Sequence, residues 1–98
     1  MFVHSVYFWL KPVLSASEKQ TFLKGLDSLT KIHSVRYGWY GKPAATDRPV
    51  IDRTYSYGLV AVFDNEAGHD VYQSDPVHDA FRGLKDLWTS VRIYDFET

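Results

Sequence analysis

FVHSVYFWL, residues 2–10, is predicted to form a β-strand whose two faces are both largely apolar. β-Branched and aromatic side chains dominate this segment, as is typical of strands, and Pro12 follows it and cannot continue a strand ladder. Successive side chains of a strand alternate between its faces. One face carries Phe2, His4, Val6, Phe8 and Leu10, and the other carries Val3, Ser5, Tyr7 and Trp9. Such a strand needs a cover on each side, and this requirement decides the fold.

Residues 15–34 are predicted to form the first helix. Ser15 followed by Glu18 is the pattern of a capping box, in which the two residues satisfy two free amide groups at the helix start. Apolar residues then recur near the helical period and predict one buried stripe. This stripe comprises Phe22, Leu26, Leu29 and Ile32, with Leu23 at its edge. His33, at the end of the helix, is predicted to lie at the surface.

Three further strands are predicted, at residues 35–41, 54–64 and 90–97. The middle one of these again has two apolar faces. One face carries Tyr55, Tyr57, Leu59, Ala61 and Phe63, and the other carries Val60 and Val62. Residues 42–53 are a polar connection, either a rim over a pocket or a simple surface loop.

The segment DVYQSDPVHDAF, residues 70–81, is predicted to contain a break between two helices. The first piece runs over residues 66–74. Asp75 is then the N-cap and Pro76 the first helical residue of a second piece, because proline is favoured where no amide hydrogen is needed. The core stripe of the second piece is predicted to be Val77, Phe81, Leu84 and Trp88.

The order of elements is therefore β-α-β-β-α-β, with the second helix broken at Pro76. This order predicts an α+β, ferredoxin-like fold, in which both helices pack on one face of an antiparallel sheet within a single domain of residues 1–98. The other face would carry apolar side chains that an exposed sheet face does not normally have. The simplest remedy is a homodimer in which two sheets pack face to face, that is, a dimeric α+β barrel.

Composition excludes several classes of partner. The 98 residues are 45% hydrophobic and 16% aromatic with a formal net charge of -1, and basic residues do not cluster. We therefore expect neither nucleic acid nor a membrane as a partner. The chain has no cysteine, so disulfides are excluded, and no signal peptide or membrane span is recognised, so we expect a cytoplasmic protein. The aromatic excess indicates a pocket or a partner surface.

Five segments spread over the chain are similar to a known family, and they lie at residues 2–11 (FVHSVYFWLK), 39–42 (WYGK), 54–64 (TYSYGLVAVFD), 72–81 (YQSDPVHDAF) and 91–96 (VRIYDF). Together they resemble the stress-responsive A/B barrel domain family of the dimeric α+β barrels. The most specific piece is Tyr-x-x-x-Pro-x-His with a following Phe. The resemblance implies the same dimer that the two-faced strands predict.

The resemblance also implies a site. In a plant polyketide cyclase of this family, a histidine after the proline acts as base and a tyrosine before it assists, and His78 and Tyr72 match these two positions. A first-strand histidine of the same pocket is matched by His4. Two positions depart from the cyclase: a third-strand histidine is matched by Tyr57, and a first-helix tyrosine by Leu26. The residues implied to bind substrate are His4, Tyr57, Leu26 and the Phe81 that ends the motif.

Independently of the resemblance, the positions of Tyr72 and His78 around the helix break indicate what these two side chains could do. At the third helical position after Asp75, His78 lies near the positive end of the helix dipole, which favours a neutral imidazole that can accept a proton. On one continuous helix Tyr72 and His78 would point about 240° apart, so only the break at Pro76 can bring them to one cavity. A purely structural interpretation is also open. In it, His78 hydrogen-bonds to its cap residue, Tyr72 packs in the core, and His4 is a half-buried histidine whose hydrogen bonds are all made within the protein.

No metal or other cofactor is predicted. The polar residues around the break, His69, Asp70, Asp75, His78 and Asp79, have no recognised ligand spacing. The leading functional hypothesis is a cofactor-independent cyclase or lyase acting on a polyketide-like or β-keto substrate. The alternatives are a non-catalytic, stress-associated barrel that binds a small apolar or aromatic ligand, and a cofactor-free oxygenase of the dimeric α+β barrel type.

Overall fold

The strand predicted from residues 2–10 is an inner strand of the sheet. In the computed structural model, which describes residues 1–98, β1 (Phe2–Leu10) pairs with β3 (Tyr57–Phe63) on one side and with β4 (Trp88–Glu97) on the other. β2 (Tyr37–Gly41) pairs with β3, so the order is β2-β3-β1-β4, with every neighbouring pair antiparallel. The predicted α+β, ferredoxin-like fold is confirmed.

The helices lie against one face of this sheet. They are α1 (Ala16–Thr30), α2 (Glu66–Ser74) and α3 (Pro76–Arg82), followed by a 3₁₀ turn at Lys85–Leu87. The predicted capping box of α1 is present, since Ser15 Oγ accepts from the Glu18 amide at 3.0 Å and the Glu18 carboxylate accepts from the Ser15 amide at 2.9 Å. The four residues of the predicted stripe are all buried: Phe22, Leu26 and Leu29 lie on α1, and Ile32 follows its end.

The break between α2 and α3 forms where it was predicted. Asp75 caps α3 by accepting a hydrogen bond from the Val77 amide at 2.8 Å. Arg82, at the end of α3, donates to both the backbone carbonyl and the side-chain oxygen of Gln73, each at 2.9 Å. The carbonyl groups at a helix end have no partner inside the helix, and here Arg82 supplies one. The joint is therefore held by a cap on one side and a guanidinium on the other.

Strand boundaries differ from the prediction on the third strand. β3 begins at Tyr57 rather than at residue 54. The Ser56 amide still donates to the Phe8 carbonyl at 2.7 Å, but the regular ladder ends there, because the Leu10 amide donates to the Ser56 side-chain oxygen at 2.9 Å. Tyr55 consequently lies outside the strand, and its ring packs against Tyr7 with centroids 5.0 Å apart. Its predicted place on the face of Leu59 is wrong.

Other boundaries shift by two to four residues. β2 begins at Tyr37 rather than at residue 35, and α1 ends at Thr30, so the exposed His33 lies beyond that helix. α3 ends at Arg82, too early to carry the four-residue stripe predicted for it. Of that stripe only Phe81 is a buried helical residue; Val77 is 38% exposed, and Leu84 and Trp88 follow the helix and are partly buried.

The sheet has one buried and one open face. Phe2, Val6 and Phe8 of β1 are buried under the helices together with the inward residues of β3. The open face carries large apolar side chains, including Trp39 at 63% and Phe96 at 57% exposure. None of the helices has both the length and the apolar character needed to cross a membrane.

Candidate functional site

A cavity of about 260 Å³ lies between the sheet and the joint of α2 and α3. Nine of its 13 lining residues are apolar or aromatic, and the polar ones are His4, Gln73, His78 and Arg82. Engineered cavities of about 150 Å³ already admit benzene, so the cavity has room for a substituted aromatic ring. Its apolar wall includes Phe81 and Trp88, which stack with centroids 5.4 Å apart.

Tyr72 reaches the cavity from α2. The residue is only 1% exposed, and its ring packs edge-on against Phe63 at 5.1 Å. Its hydroxyl has no hydrogen-bond partner in the protein, although a buried tyrosine hydroxyl usually has one. Burial raises the pKa of Tyr72, so the phenol stays protonated and can donate a hydrogen bond at neutral pH. The hydroxyl is thus available to a molecule in the cavity.

His78 reaches the same cavity from the first turn of α3. Its ring meets the Tyr72 ring edge to face, with centroids 4.8 Å apart, so the break at Pro76 does bring these two side chains together. Nδ1 of His78 is buried and has no hydrogen-bond partner, and the predicted alternative of a bond to the cap residue is therefore not formed. Burial lowers the pKa of His78 to about 4, and the positive charge of Arg82 acts in the same direction. The imidazole is neutral at pH 7.

His4 borders the cavity from the sheet. It is 3% exposed, its ring lies 5.7 Å from that of Tyr72, and its Nδ1 lies 2.6 Å from Oδ1 of Asp95. The two residues are directly opposite each other on β1 and β4. Burial lowers the pKa of His4, although the hydrogen bond to Asp95 and its negative charge oppose that effect. A second neutral imidazole therefore faces the cavity at neutral pH.

The same end of the molecule brings together residues of the kind that bind metals. His4, His69 and Asp95 each offer a ligand atom, and these atoms lie within 4.8 Å of one another. Ligands that share one ion at bond lengths of about 2.1 Å stand about 3 Å or more apart, so the 2.6 Å contact between His4 and Asp95 is too short for that role. Nε2 of His69 forms a hydrogen bond with the side-chain nitrogen of Gln73 at 2.9 Å. The group is a hydrogen-bonded pair beside a separately bonded imidazole.

Four of the six residues assigned to the site from the sequence line this cavity, namely His4, Tyr72, His78 and Phe81. Leu26 and Tyr57 do not line it. Leu26 is fully buried in the hydrophobic core under α1. Tyr57 lies at the end of β3 and its ring packs on Phe22, with centroids 6.0 Å apart.

Sequence reasoning missed the contribution of β4 and of Arg82. Val91 and Ile93 line the cavity, and alternation along β4 puts them on the same face as Asp95. The alternating pattern was visible in the sequence. That β4 is the neighbour of β1, and that Asp95 lies opposite His4, could not be read from it. Arg82 follows directly after Phe81 and carried no separate signal.

The arrangement suits proton transfer in an apolar setting. One protonated phenol and two neutral imidazoles converge on a cavity whose other walls are hydrocarbon and aromatic. Such groups can remove a proton from a bound molecule and stabilise the charge that develops on an oxygen atom.

The sequence model of the family described as Stress responsive A/B Barrel Domain matches residues 2–98. The chain belongs to this family, which confirms the resemblance noted from its motifs. Curated proteins compared with the chain gave no match.

Solved structures share the fold. A protein from Arabidopsis thaliana superposes with a TM-score of 0.81 at 17% identity, covering 100% of this chain and 95% of that one. A Dabb family protein with a ferredoxin-like fold from Mesorhizobium loti has a TM-score of 0.78 at 24% identity and covers 99% and 95%. Hydroxynitrile lyase from Passiflora edulis has a TM-score of 0.77 at 14% identity and covers 97% and 90%. Several other proteins of this fold are described as dimeric. Likenesses at these identities show the fold alone.

Proposed function

We propose that this member of the stress-responsive A/B barrel domain family is a cofactor-independent enzyme of the cyclase or lyase type. Its substrate would be a small, mainly apolar carbonyl compound, such as a β-keto or polyketide-like molecule. One observation carries the proposal: the unpartnered Tyr72 hydroxyl and the neutral imidazoles of His78 and His4 adjoin in one apolar cavity, with ring centroids 4.8 Å and 5.7 Å from Tyr72.

The chemistry needs a base and a hydrogen-bond donor. A neutral imidazole takes the proton from the carbon next to the carbonyl, and the electron pair of that C–H bond moves into an enolate. The Tyr72 hydroxyl donates to the enolate oxygen, which carries the developing charge. In a cyclase the enolate carbon then attacks a second carbonyl of the same molecule, and the imidazolium returns the proton to the resulting alkoxide. The sequence motif assigns the base to His78; the structure gives His4 the same access to the cavity.

The test compares turnover in variants that lack the cavity imidazoles. We expect the wild type to convert at least one member of a panel of aryl β-diketones, linear β-polyketide thioesters and aromatic cyanohydrins, the last chosen because one protein of this fold is named a hydroxynitrile lyase. The double variant His4→Gln/His78→Gln should be slower by at least about 100-fold, the usual contribution of a general base. His33→Gln is the matched control, because His33 is exposed and lies outside the cavity. Equal rates for wild type and double variant would contradict acid–base catalysis.

The same panel separates the two alternative functions. The cavity by itself, apolar and large enough for an aromatic ring, also supports a protein that binds a small ligand without turning it over. A thermal shift with aromatic ligands in the absence of any product would favour that function. Oxygen consumption with an activated aromatic substrate would favour the cofactor-free oxygenase.

We propose further that the chain forms a homodimer through the open face of the sheet. The support is the apolar character of that face, together with the dimeric state described for several proteins of this fold. The large side chains on it are Val3, Tyr7, Trp9, Tyr37, Trp39, Val60, Val62, Tyr94 and Phe96. A face of this kind is seldom left uncovered in a monomer.

Val62→Lys is expected to dissociate this dimer. Val62 lies on the open face opposite Val3 and Tyr37, so the ammonium group would be buried without a partner in both copies. Because an uncompensated buried charge costs several kcal/mol, the dissociation constant should rise at least about 100-fold. Val13→Lys is the control, since Val13 is 88% exposed in the loop before α1. Sedimentation of the wild type as a monomer at micromolar concentration, or of Val62→Lys as a dimer, would refute the proposed interface.

A further inference from the structure

His4 is held by a carboxylate that was not among the residues assigned to the site from the sequence. Asp95 Oδ1 lies 2.6 Å from His4 Nδ1, the shortest side-chain hydrogen bond that either residue makes. The contact joins residues 91 positions apart in the sequence and depends on the pairing of β1 with β4, which places them directly opposite each other. His4 is 3% exposed, whereas the side chain of Asp95 is 36% exposed, so the pair runs from the cavity to the edge of the sheet.

This contact decides which nitrogen of His4 carries the proton. A carboxylate oxygen can only accept a hydrogen bond, so Nδ1 of a neutral His4 must donate. The lone pair then lies on Nε2, at the far end of the ring. No protein group bonds to Nε2 of His4, and the residue lines the cavity. A carboxylate that orients an imidazole in this way also stabilises the imidazolium formed when Nε2 accepts a proton.

His78 has the opposite surroundings. No carboxylate hydrogen-bonds to its ring, and its Nδ1 is buried without a partner in hydrogen-bonding geometry. Burial and the charge of Arg82 lower the pKa of His78 more than its own backbone carbonyl and Asp79 raise it. An unpartnered buried lone pair is less costly than an unpartnered buried N–H group. The economical tautomer of His78 therefore keeps the lone pair on Nδ1 and presents Nε2–H to the cavity, as a donor.

We infer that His4, oriented by Asp95, is the residue that accepts the substrate proton, and that His78 binds the substrate oxygen beside Tyr72 as a second hydrogen-bond donor. This inference rests on the proposed function and assigns the roles within it. Nε2 of His4 removes the proton next to the carbonyl and becomes N–H, while the electron pair forms the enolate. Asp95 takes no part in the proton transfer; it holds the ring through Nδ1 and is a positioning residue. After the new bond forms, the same proton passes from His4 to the alkoxide, and the site returns to its starting state.

The groups that face His4 are few. Asp95 lies on β4, His69 and Tyr72 on α2, and His78 on α3; the residue opposite on β3 is Ala61. Asp95 is the only anion among them, and its hydrogen bond and charge raise the pKa of His4 against the effect of burial. Removal of the charge at Asp95 should therefore weaken the base and free the ring to change tautomer.

The experiment combines nitrogen NMR with kinetics on the full chain. Long-range proton–nitrogen spectra of the labelled protein at pH 7 report the tautomer of each histidine, with His4→Gln and His78→Gln used for assignment. In the wild type we expect His4 as the Nδ1–H form and His78 as the Nε2–H form. Asp95→Asn should shift His4 towards a mixture of tautomers and lower kcat by about 100-fold or more with little change in KM, as loss of an orienting carboxylate does elsewhere. Glu97→Gln is the matched control, because Glu97 lies on the same face of β4 two residues away.

The two histidines should also separate in kinetics. We expect His4→Gln to lower kcat by about 100-fold or more, because it removes the base. His78→Gln should lower kcat much less, because the glutamine amide can still donate a hydrogen bond to the oxygen on which charge develops. A wild-type His4 in the Nε2–H form would overturn the inference whatever the activity. A kcat that collapses in His78→Gln and survives in His4→Gln would overturn it as well. A wild type that is inactive on every substrate, with His4 in the Nδ1–H form, would instead refute the proposed function and with it the reaction assigned to His4.

Discussion

Tyr72→Phe is expected to lower kcat by about 100- to 1,000-fold and to leave the protein folded. The hydroxyl makes no bond to the protein, so its removal leaves no buried partner unsatisfied. The ring keeps its packing against Phe63 at 5.1 Å and His78 at 4.8 Å. What is lost is the donor to the oxygen on which charge develops, and removal of one such donor typically costs two to three orders of magnitude.

The measurement compares kcat and the melting temperature of Tyr72→Phe with those of Tyr57→Phe. Tyr57 is a matched control because it is a second inward-facing tyrosine that does not line the cavity. The resemblance to a plant cyclase had implied a role for Tyr57 in substrate binding. Unchanged turnover in Tyr57→Phe and a large loss in Tyr72→Phe are the expected pair of results. Full activity of Tyr72→Phe would remove the hydroxyl from the mechanism, and a loss in Tyr57→Phe would extend the site to the end of β3.

Leu26→Ala is expected to reduce the free energy of unfolding by about 2–5 kcal/mol without altering ligand affinity. Leu26 is 0% exposed and lies in the core formed by α1 and the sheet. Truncation of a buried leucine loses its transfer free energy and leaves a cavity that the surroundings fill only in part. Since Leu26 does not line the cavity at the α2–α3 joint, the site should keep its shape.

Denaturant unfolding and ligand titration together check this expectation, at one fixed protein concentration because dimerisation would contribute to stability. Leu23→Ala is the control on the same helix; Leu23 is only partly buried, so its loss should be smaller. A normal stability with a large change in ligand affinity would place Leu26 in the binding site after all, as the resemblance implied.

Local patterns of apolar and polar residues in the sequence were enough to predict the fold. The period of apolar residues placed α1 and its buried stripe, and alternation placed the two faces of β1. The joint at Asp75 and Pro76 was also predictable, because an N-cap followed by proline specifies a new helix start within two residues. The sequence indicated that only this break could bring Tyr72 and His78 together; that the two rings do meet, with centroids 4.8 Å apart, is shown by the structure.

The prediction failed where contacts between residues far apart in the sequence determine the structure. The prediction for Tyr55 is wrong because the regular ladder ends at Ser56, whose hydroxyl accepts a hydrogen bond from the Leu10 amide in place of a backbone carbonyl. The resemblance implies Leu26 and Tyr57 as substrate-binding residues; Leu26 lies in the core and Tyr57 at a strand end, and their variants test whether either contributes to binding.

The amino-acid sequence by itself determined the elements, the break in the second helix and the apolar character of both sheet faces, since each depends on residues close together in the chain. Tertiary structure alone decided which polar groups meet. Asp95 lies opposite His4 because β4 adds to the sheet beside β1 in one register, and a shift of one residue would turn Asp95 to the other face. A strand's periodicity carries no information about that register or about its neighbour. The surroundings that make His4 a better proton acceptor than His78 therefore exist only in the folded sheet.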